Sequence, residues 1–282
     1  MEFDPTNQVS RDDLMSGHPL VKRNYLAVTP SIQWAYERVR NQVWLNMPNI
    51  YFQSVPRMGK THCASAIIDA VRSEFNDRYV LLVTADITGT EGIVLSMAKA
   101  MRLVPKVRET QVAIRDRVMT HIVCELASVG GYHFVLIIDE MQCLRSVDYH
   151  NLQVLQNRLS VDNINMTTIG FAQTEINSVR SSLLLSQDTA VVGRFLSERV
   201  DFVGCNSASW LRETMECFDE SLYFPRGSDC SYTLFFLLRH LRLAFVCIIP
   251  QIYSMSGPRH VSLHLAGNQF LQPIYSLRLG IC

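Results

Sequence analysis

Asn49-Ile-Tyr-Phe-Gln-Ser54-Val-Pro-Arg-Met-Gly59-Lys60-Thr61 runs from a short apolar β-type segment through a turn into the start of a helix. From Ser54 onward it fits the pattern G-x-x-x-x-G-K-[ST] at every fixed position but the first, where Ser54 replaces glycine. A strand, a tight loop and a helix N-terminus, in that order, gather loop N–H groups and the positive end of the helix around one point. That point favours a phosphate. The flanks agree, since an apolar strand precedes and an apolar-periodic helix from Lys60 to about Phe75 follows. Ser54, Val55, Pro56, Arg57, Met58, Gly59, Lys60, Thr61 and His62 are therefore the candidate nucleotide-binding residues. Lys60 is placed to reach β- and γ-phosphate oxygens, and Thr61 to offer a hydroxyl to Mg²⁺. Ser54 fits if its φ stays negative, and a lowered affinity is the alternative; Pro56 and Arg57 stiffen the loop.

The second decisive stretch is Phe134-Val-Leu-Ile-Ile-Asp139-Glu140, an apolar strand that ends in two carboxylates about 80 residues beyond Lys60. In a parallel sheet the carboxyl end of such a strand lies beside the phosphate loop. Asp139 then holds Mg²⁺, directly or through water, and Glu140 orients and polarises an attacking water. ATP and Mg²⁺ are the implied cofactors.

Other short apolar runs read as strands: Tyr79 to Thr84, Ile164 to Gly170 and Arg199 to Val203. Helical spacing is expected after Pro30, over Glu91 to Leu103, Glu109 to Ser128, residues 149–160, Thr174 to Ser186 and Ser207 to Glu220. Strands alternating with helices imply a parallel sheet covered on both faces. Residues 1–29 read as a polar arm, with low order expected before His18. From Cys230 to Cys282 there is no Asp, Glu or Lys, where an ordinary stretch of that length would carry roughly a dozen charged residues. Two readings stay open for it: an unusual apolar interface, or a reading frame that leaves its ancestral path near Tyr232.

The 282 residues carry 26 Lys plus Arg and 26 Asp plus Glu, so global charge does not announce a nucleic-acid binder. The eight cysteines form no C-x-x-C pair, which argues against zinc and for reduced thiols in the cytoplasm. The most apolar window, Thr233 to Tyr253, is broken by Arg239, His240 and Arg242, which argues against a membrane span.

Leu136-Ile-Ile-Asp-Glu-Met-Gln142-Cys-Leu resembles the LLIDEAQ-x-L box of AAA+ ATPases. More narrowly, it is similar to the TniB/TnsC group of transposition ATPases, relatives of the phage Mu target-selection protein MuB. Phosphate loops that carry Arg before x-G-K-T, as Arg57-Met-Gly-Lys-Thr61 does, also occur in that group. Thr168-Ile-Gly-Phe-Ala-Gln173-Thr-Glu175-Ile resembles its VGQPEL strand end, and Val192-Gly-Arg194-Phe195 its x-x-R-F segment. The resemblance covers about residues 20–225. It implies that Gln173 contacts the γ-phosphate or its water, and that Arg194 reaches the ATP of a neighbouring subunit. Such an arginine neutralises charge developing on the transferred group and makes hydrolysis depend on assembly. The sequence departs from the family at Ser54 and over residues 233–282, which lack a helical lid with a second sensor arginine.

The expected fold is thus an α/β P-loop NTPase of the AAA+ type, with helices on both faces of the sheet and a small atypical C-terminal region. Its expected division is an N-terminal arm and helix over 1–46, the AAA+ core over 47–204, and a C-terminal lid region over 205–282, atypical from about 233. Lys99, Arg102, Lys106 and Arg108, continued by Arg115 and Arg117, form a basic stretch. The resemblance implies that this segment tracks double-stranded DNA by sequence-independent phosphate contacts. A solvated helix face is the alternative. On the leading reading, ATP assembles copies of the chain as a ring or helical filament on target DNA. That assembly recruits a transposase, with a target-selection protein as a further partner. The alternatives are a non-hydrolysing P-loop adaptor, and an AAA+ ATPase in signalling or remodelling with no DNA role.

Overall fold

The computed structural model describes residues 3–4, 7–104 and 108–237. Among the described residues, contacts divide the chain into two compact units, one over Ser31–Gly204 and one made of the segments before Ser31 and after Gly204. The tail readings above concern residues that lie, from 238 on, outside those described, as does Lys106.

The unit containing the N-terminus begins with helices α1 (Gln8–Met15) and α2 (Pro19–Lys22). The low order expected before His18 is corrected here. Asn7 caps α1 by accepting from the Val9 and Ser10 N–H groups, which satisfies donors the helix cannot satisfy itself. His18 is fully buried, and its ring packs against Phe224, Tyr232 and Phe235 at 4.6–4.7 Å.

The other unit holds helix α3 (Pro30–Trp44) and then strand β1 (Asn49–Gln53), helix α4 (Lys60–Glu74) and strand β2 (Arg78–Thr84). Helices α5 (Ile93–Ala100) and α6 (Gln111–Val129) lead to β3 (His133–Asp139), a 3-10 turn at Met141–Cys143 and α7 (Ser146–Val161). Then come β4 (Asn165–Ala172), α8 (Ile176–Leu185), α9 (Thr189–Phe195) and β5 (Arg199–Asp201). Beyond this unit lie α10 (Ala208–Glu220) and α11 (Tyr232–Leu237).

The strands form one parallel sheet in the order β2-β3-β4-β1-β5. Every residue of β3 is buried, as an apolar run covered on both faces should be. Side chains alternate across the sheet. Tyr51, Leu81, Phe134, Leu136 and Ile138 pack into one core with Met97, Val118, Leu152 and Phe195 from α5, α6, α7 and α9. The alternate residues Ile50, Phe52, Val135 and Ile137 are buried outside that cluster, as are Ile67 and Val71 of α4, which lies against β2, β3 and β4. This is the P-loop NTPase arrangement of the AAA+ type, with helices on both faces. Among the described residues no helix is long and apolar enough to cross a membrane.

Candidate functional site

The turn after β1 delivers Lys60 and Thr61 to the carboxyl edge of the sheet. Gly59 makes the turn possible with φ 88°, in the left-handed region that glycine enters freely. Arg57 shares that region at φ 66°, whereas Ser54 does not, so a serine side chain is tolerated there. α4 starts at Lys60, and its first N–H groups face the turn.

β4 separates β1 from β3, yet the Thr61 hydroxyl donates to Asp139 Oδ2 at 2.8 Å. This bond joins the phosphate loop to the acidic strand end. Asp139 is buried, its other oxygen accepts the Glu140 N–H at 3.0 Å, and burial raises its pKa while the Thr61 bond opposes that shift. Burial likewise lowers the pKa of Lys60, and the nearby Glu140, Asp139 and Glu175 carboxylates act against it. A hydroxyl and a carboxylate in contact form a hard-oxygen donor pair that suits Mg²⁺, and a cation there would offset the cost of burying Asp139.

Glu140 has left-handed backbone at φ 56°, a conformation uncommon for residues other than glycine and concentrated at functional sites. Its Oε2 accepts from the amides of Gln142 and of Gln173, the latter at 3.0 Å. Gln142 Oε1 accepts the Gln173 backbone N–H at 2.9 Å. Glycine at 170 permits this approach, because a Cβ there would lie 2.2 Å from Met141 Sδ. The structure thus brings together Lys60, Thr61, Asp139, Glu140 and Gln173. It adds Gln142, which sequence reasoning quoted without a role; its position two residues after the paired acid was the available signal. Val55, Pro56 and Arg57 form the exposed outer part of the loop, and His62 is exposed in the first turn of α4.

Arg194 does not join this group. Asn49, the first residue of β1, donates its side-chain amide to Gly193 O and to Ser197 Oγ, which ties the segment to the amino edge of the sheet. Arg194 donates to Asn157 and Gln156, both neutral amides, and borders a cavity of about 350 Å³ with Pro48 and Asn165. Among the described residues it makes no ion pair.

The basic stretch is partly neutralised within the chain. Lys99 pairs with Glu91, and Arg117 pairs with both oxygens of Glu109 at 2.7 and 2.9 Å. The helix expected to run to Leu103 stops at Ala100, and Arg102 lies outside it with φ 58°. Arg102 and Arg108 are exposed and make no ion pair among the described residues.

No protein-family sequence profile matches the chain, and no curated protein matches it. Among solved structures, the Orc1 protein of Aeropyrum pernix in complex with DNA is 15% identical with TM-score 0.49, over 70% of this chain and 51% of that one. Cdc6p of Pyrobaculum aerophilum is 15% identical with TM-score 0.43, over 62% and 45%. AMPPCP-bound DnaA of Aquifex aeolicus is 16% identical with TM-score 0.36, over 64% and 49%. The chain spans about half the length of these proteins. The fold assignment stands on features internal to the chain: its strand order, its glycine-closed turn ahead of α4, and the Thr61–Asp139 bond across the sheet edge.

Proposed function

We propose that this chain is a Mg²⁺-dependent P-loop ATPase that assembles on duplex DNA and regulates transposition. The observation that carries the nucleotide reading is the Thr61–Asp139 contact beside Lys60. Loop N–H groups and Lys60 bind the β- and γ-phosphates, while Thr61 and Asp139 hold Mg²⁺. When bound, that ion supplies charge neutralisation at the phosphate oxygens. Glu140 Oε1, which makes no hydrogen bond among the described residues, accepts the proton of the attacking water as its oxygen bonds to the γ-phosphorus. The bond to the bridging oxygen breaks, and that oxygen leaves with ADP. Gln173 and Gln142 fix the Glu140 carboxylate through Oε2. Arg194, held at the other edge by neutral amides, serves the site of the next copy.

DNA contact falls to Arg102 and Arg108, the residues of the basic stretch that are exposed and make no ion pair among the described residues. Transposition, with a transposase as partner, rests on the resemblance of the segments around Gln142, Gln173 and Arg194. A second reading, an adaptor that binds nucleotide without turnover, is favoured by one observation. The Lys60 ammonium is engaged by its own loop.

Phosphate release with duplex DNA present separates the two. On the ATPase reading Lys60→Ala loses nucleotide binding, while Glu140→Gln still binds but turns over about 100-fold more slowly or worse. Equal turnover in Glu140→Gln and wild type removes Glu140 from the mechanism. No release by the wild type that nonetheless binds ATP selects the adaptor. For DNA, Arg102→Glu with Arg108→Glu should lower the slope of log affinity against log salt by about two. An unchanged slope takes these residues out of the interface.

A further inference from the structure

The Lys60 ammonium has three N–H donors, and three acceptors meet them: Ser54 Oγ at 3.0 Å, Val55 O at 3.0 Å and Ser54 O at 3.3 Å. All three belong to the loop that would cradle a phosphate. Two are carbonyls that any residue would present. The third exists only because residue 54 is serine. Its hydroxyl donates to Val55 O at 3.1 Å, which leaves the oxygen lone pairs for Lys60. Both Ser54 and Lys60 are buried, so water competes poorly for this contact.

We infer that Ser54 is a built-in competitor for Lys60, a latch that weakens the affinity of the loop for a nucleoside triphosphate. The inference rests on the P-loop reading and deepens it. Before Lys60 meets a phosphate it must leave the Ser54 hydroxyl, and that contact stabilises only the nucleotide-free state. Any interaction peculiar to the unbound state lowers apparent affinity by its own equilibrium weight. Glycine at this position would present the carbonyl alone. The serine is therefore a tuning residue rather than a defect in the motif.

The experiment is calorimetric titration of Mg-ATP into the wild type, Ser54→Ala and Ser54→Gly, with circular dichroism to establish that each is folded. Both variants should bind about tenfold more tightly than wild type, the worth of one charge-assisted hydrogen bond. They should also match each other, since both delete the hydroxyl and only one frees the backbone. Tightening in Ser54→Gly alone would assign the effect to loop freedom and overturn the latch. Unchanged or weaker binding in Ser54→Ala would overturn it too. If all three folded proteins fail to bind Mg-ATP, the P-loop reading itself fails and the latch falls with it.

Discussion

At the carboxyl edge of the sheet, Lys60, Thr61, Asp139, Glu140 and Gln173 face one another beside an exposed loop. At the amino edge, similar polar residues are bonded into the framework. Asn49 uses its amide NH₂ for Ser197 and Gly193, and its carbonyl for the Glu198 N–H. His133 Nε2 meets Thr167 Oγ1 at 2.8 Å, and that hydroxyl donates to Met47 O at 2.6 Å. Parallel strands send all their carboxyl ends one way, so loops that carry side chains for chemistry gather there. The amino ends are where connections return, and polar groups there hold the returns in place. Arg194 breaks the division, being an amino-edge cation held only by neutral amides.

That exception supplies the sharpest test of the contrast. If Arg194 serves a second copy, Arg194→Ala should lower phosphate release by about a thousandfold while leaving nucleotide affinity intact. A mixture of Arg194→Ala with Lys60→Ala should then regain activity, because some neighbouring pairs combine an intact loop with an intact arginine. No recovery in the mixture, measured by phosphate release, would make Arg194 another framework residue.

Smaller effects should mark the framework. Asn49→Ala leaves buried partners without bonds and is expected to cost about 1–3 kcal/mol of stability in denaturant titration, with nucleotide affinity unchanged. A large loss of affinity with normal stability would erase the distinction between the edges.

A further effect concerns pH. Burial, reinforced by the Arg78 charge, lowers the His133 pKa to about 4 from the ordinary 6.5. Its neutral form is favoured only in the folded state, so stability is fully present above about 6.5 and lost as pH falls toward 4. The slope is at most about 1.4 kcal/mol per pH unit for one proton. His133→Gln, which can donate to Thr167 without titrating, should remove one proton of that slope in thermal melts. His18, lowered to about 4 by burial, keeps a slope of its own.

How far these edges are legible in the sequence differs in the same way. Carboxyl-edge chemistry sits in short contiguous motifs, so Lys60, Thr61, Asp139 and Glu140 can be read directly. β1 is legible as well, because its five residues, Asn49–Gln53, are apolar or neutral and lie between Pro48 and the turn. Gln142 is hidden, since its role depends on how the 3-10 turn packs over Gly170. The latch at Ser54 is hidden too, because a motif departure says nothing of where a hydroxyl points. α1 escapes notice because its stability comes from a cap and from tertiary contact rather than from apolar spacing. The early end of α5 is equally silent, as nothing in Lys99–Arg102 forbids another helical turn.

A nucleotide site here requires that one triphosphate fit between the turn before Lys60 and the carboxylates after Ile138. A crystal structure of the full chain with Mg²⁺ and a slow-hydrolysing ATP analogue would show whether it does. The phosphates are expected against the 54–59 turn, with Lys60 moved off Ser54 and the metal between Thr61 and Asp139. An analogue bound elsewhere, with Lys60 still on Ser54 and Thr61 still on Asp139, would contradict it.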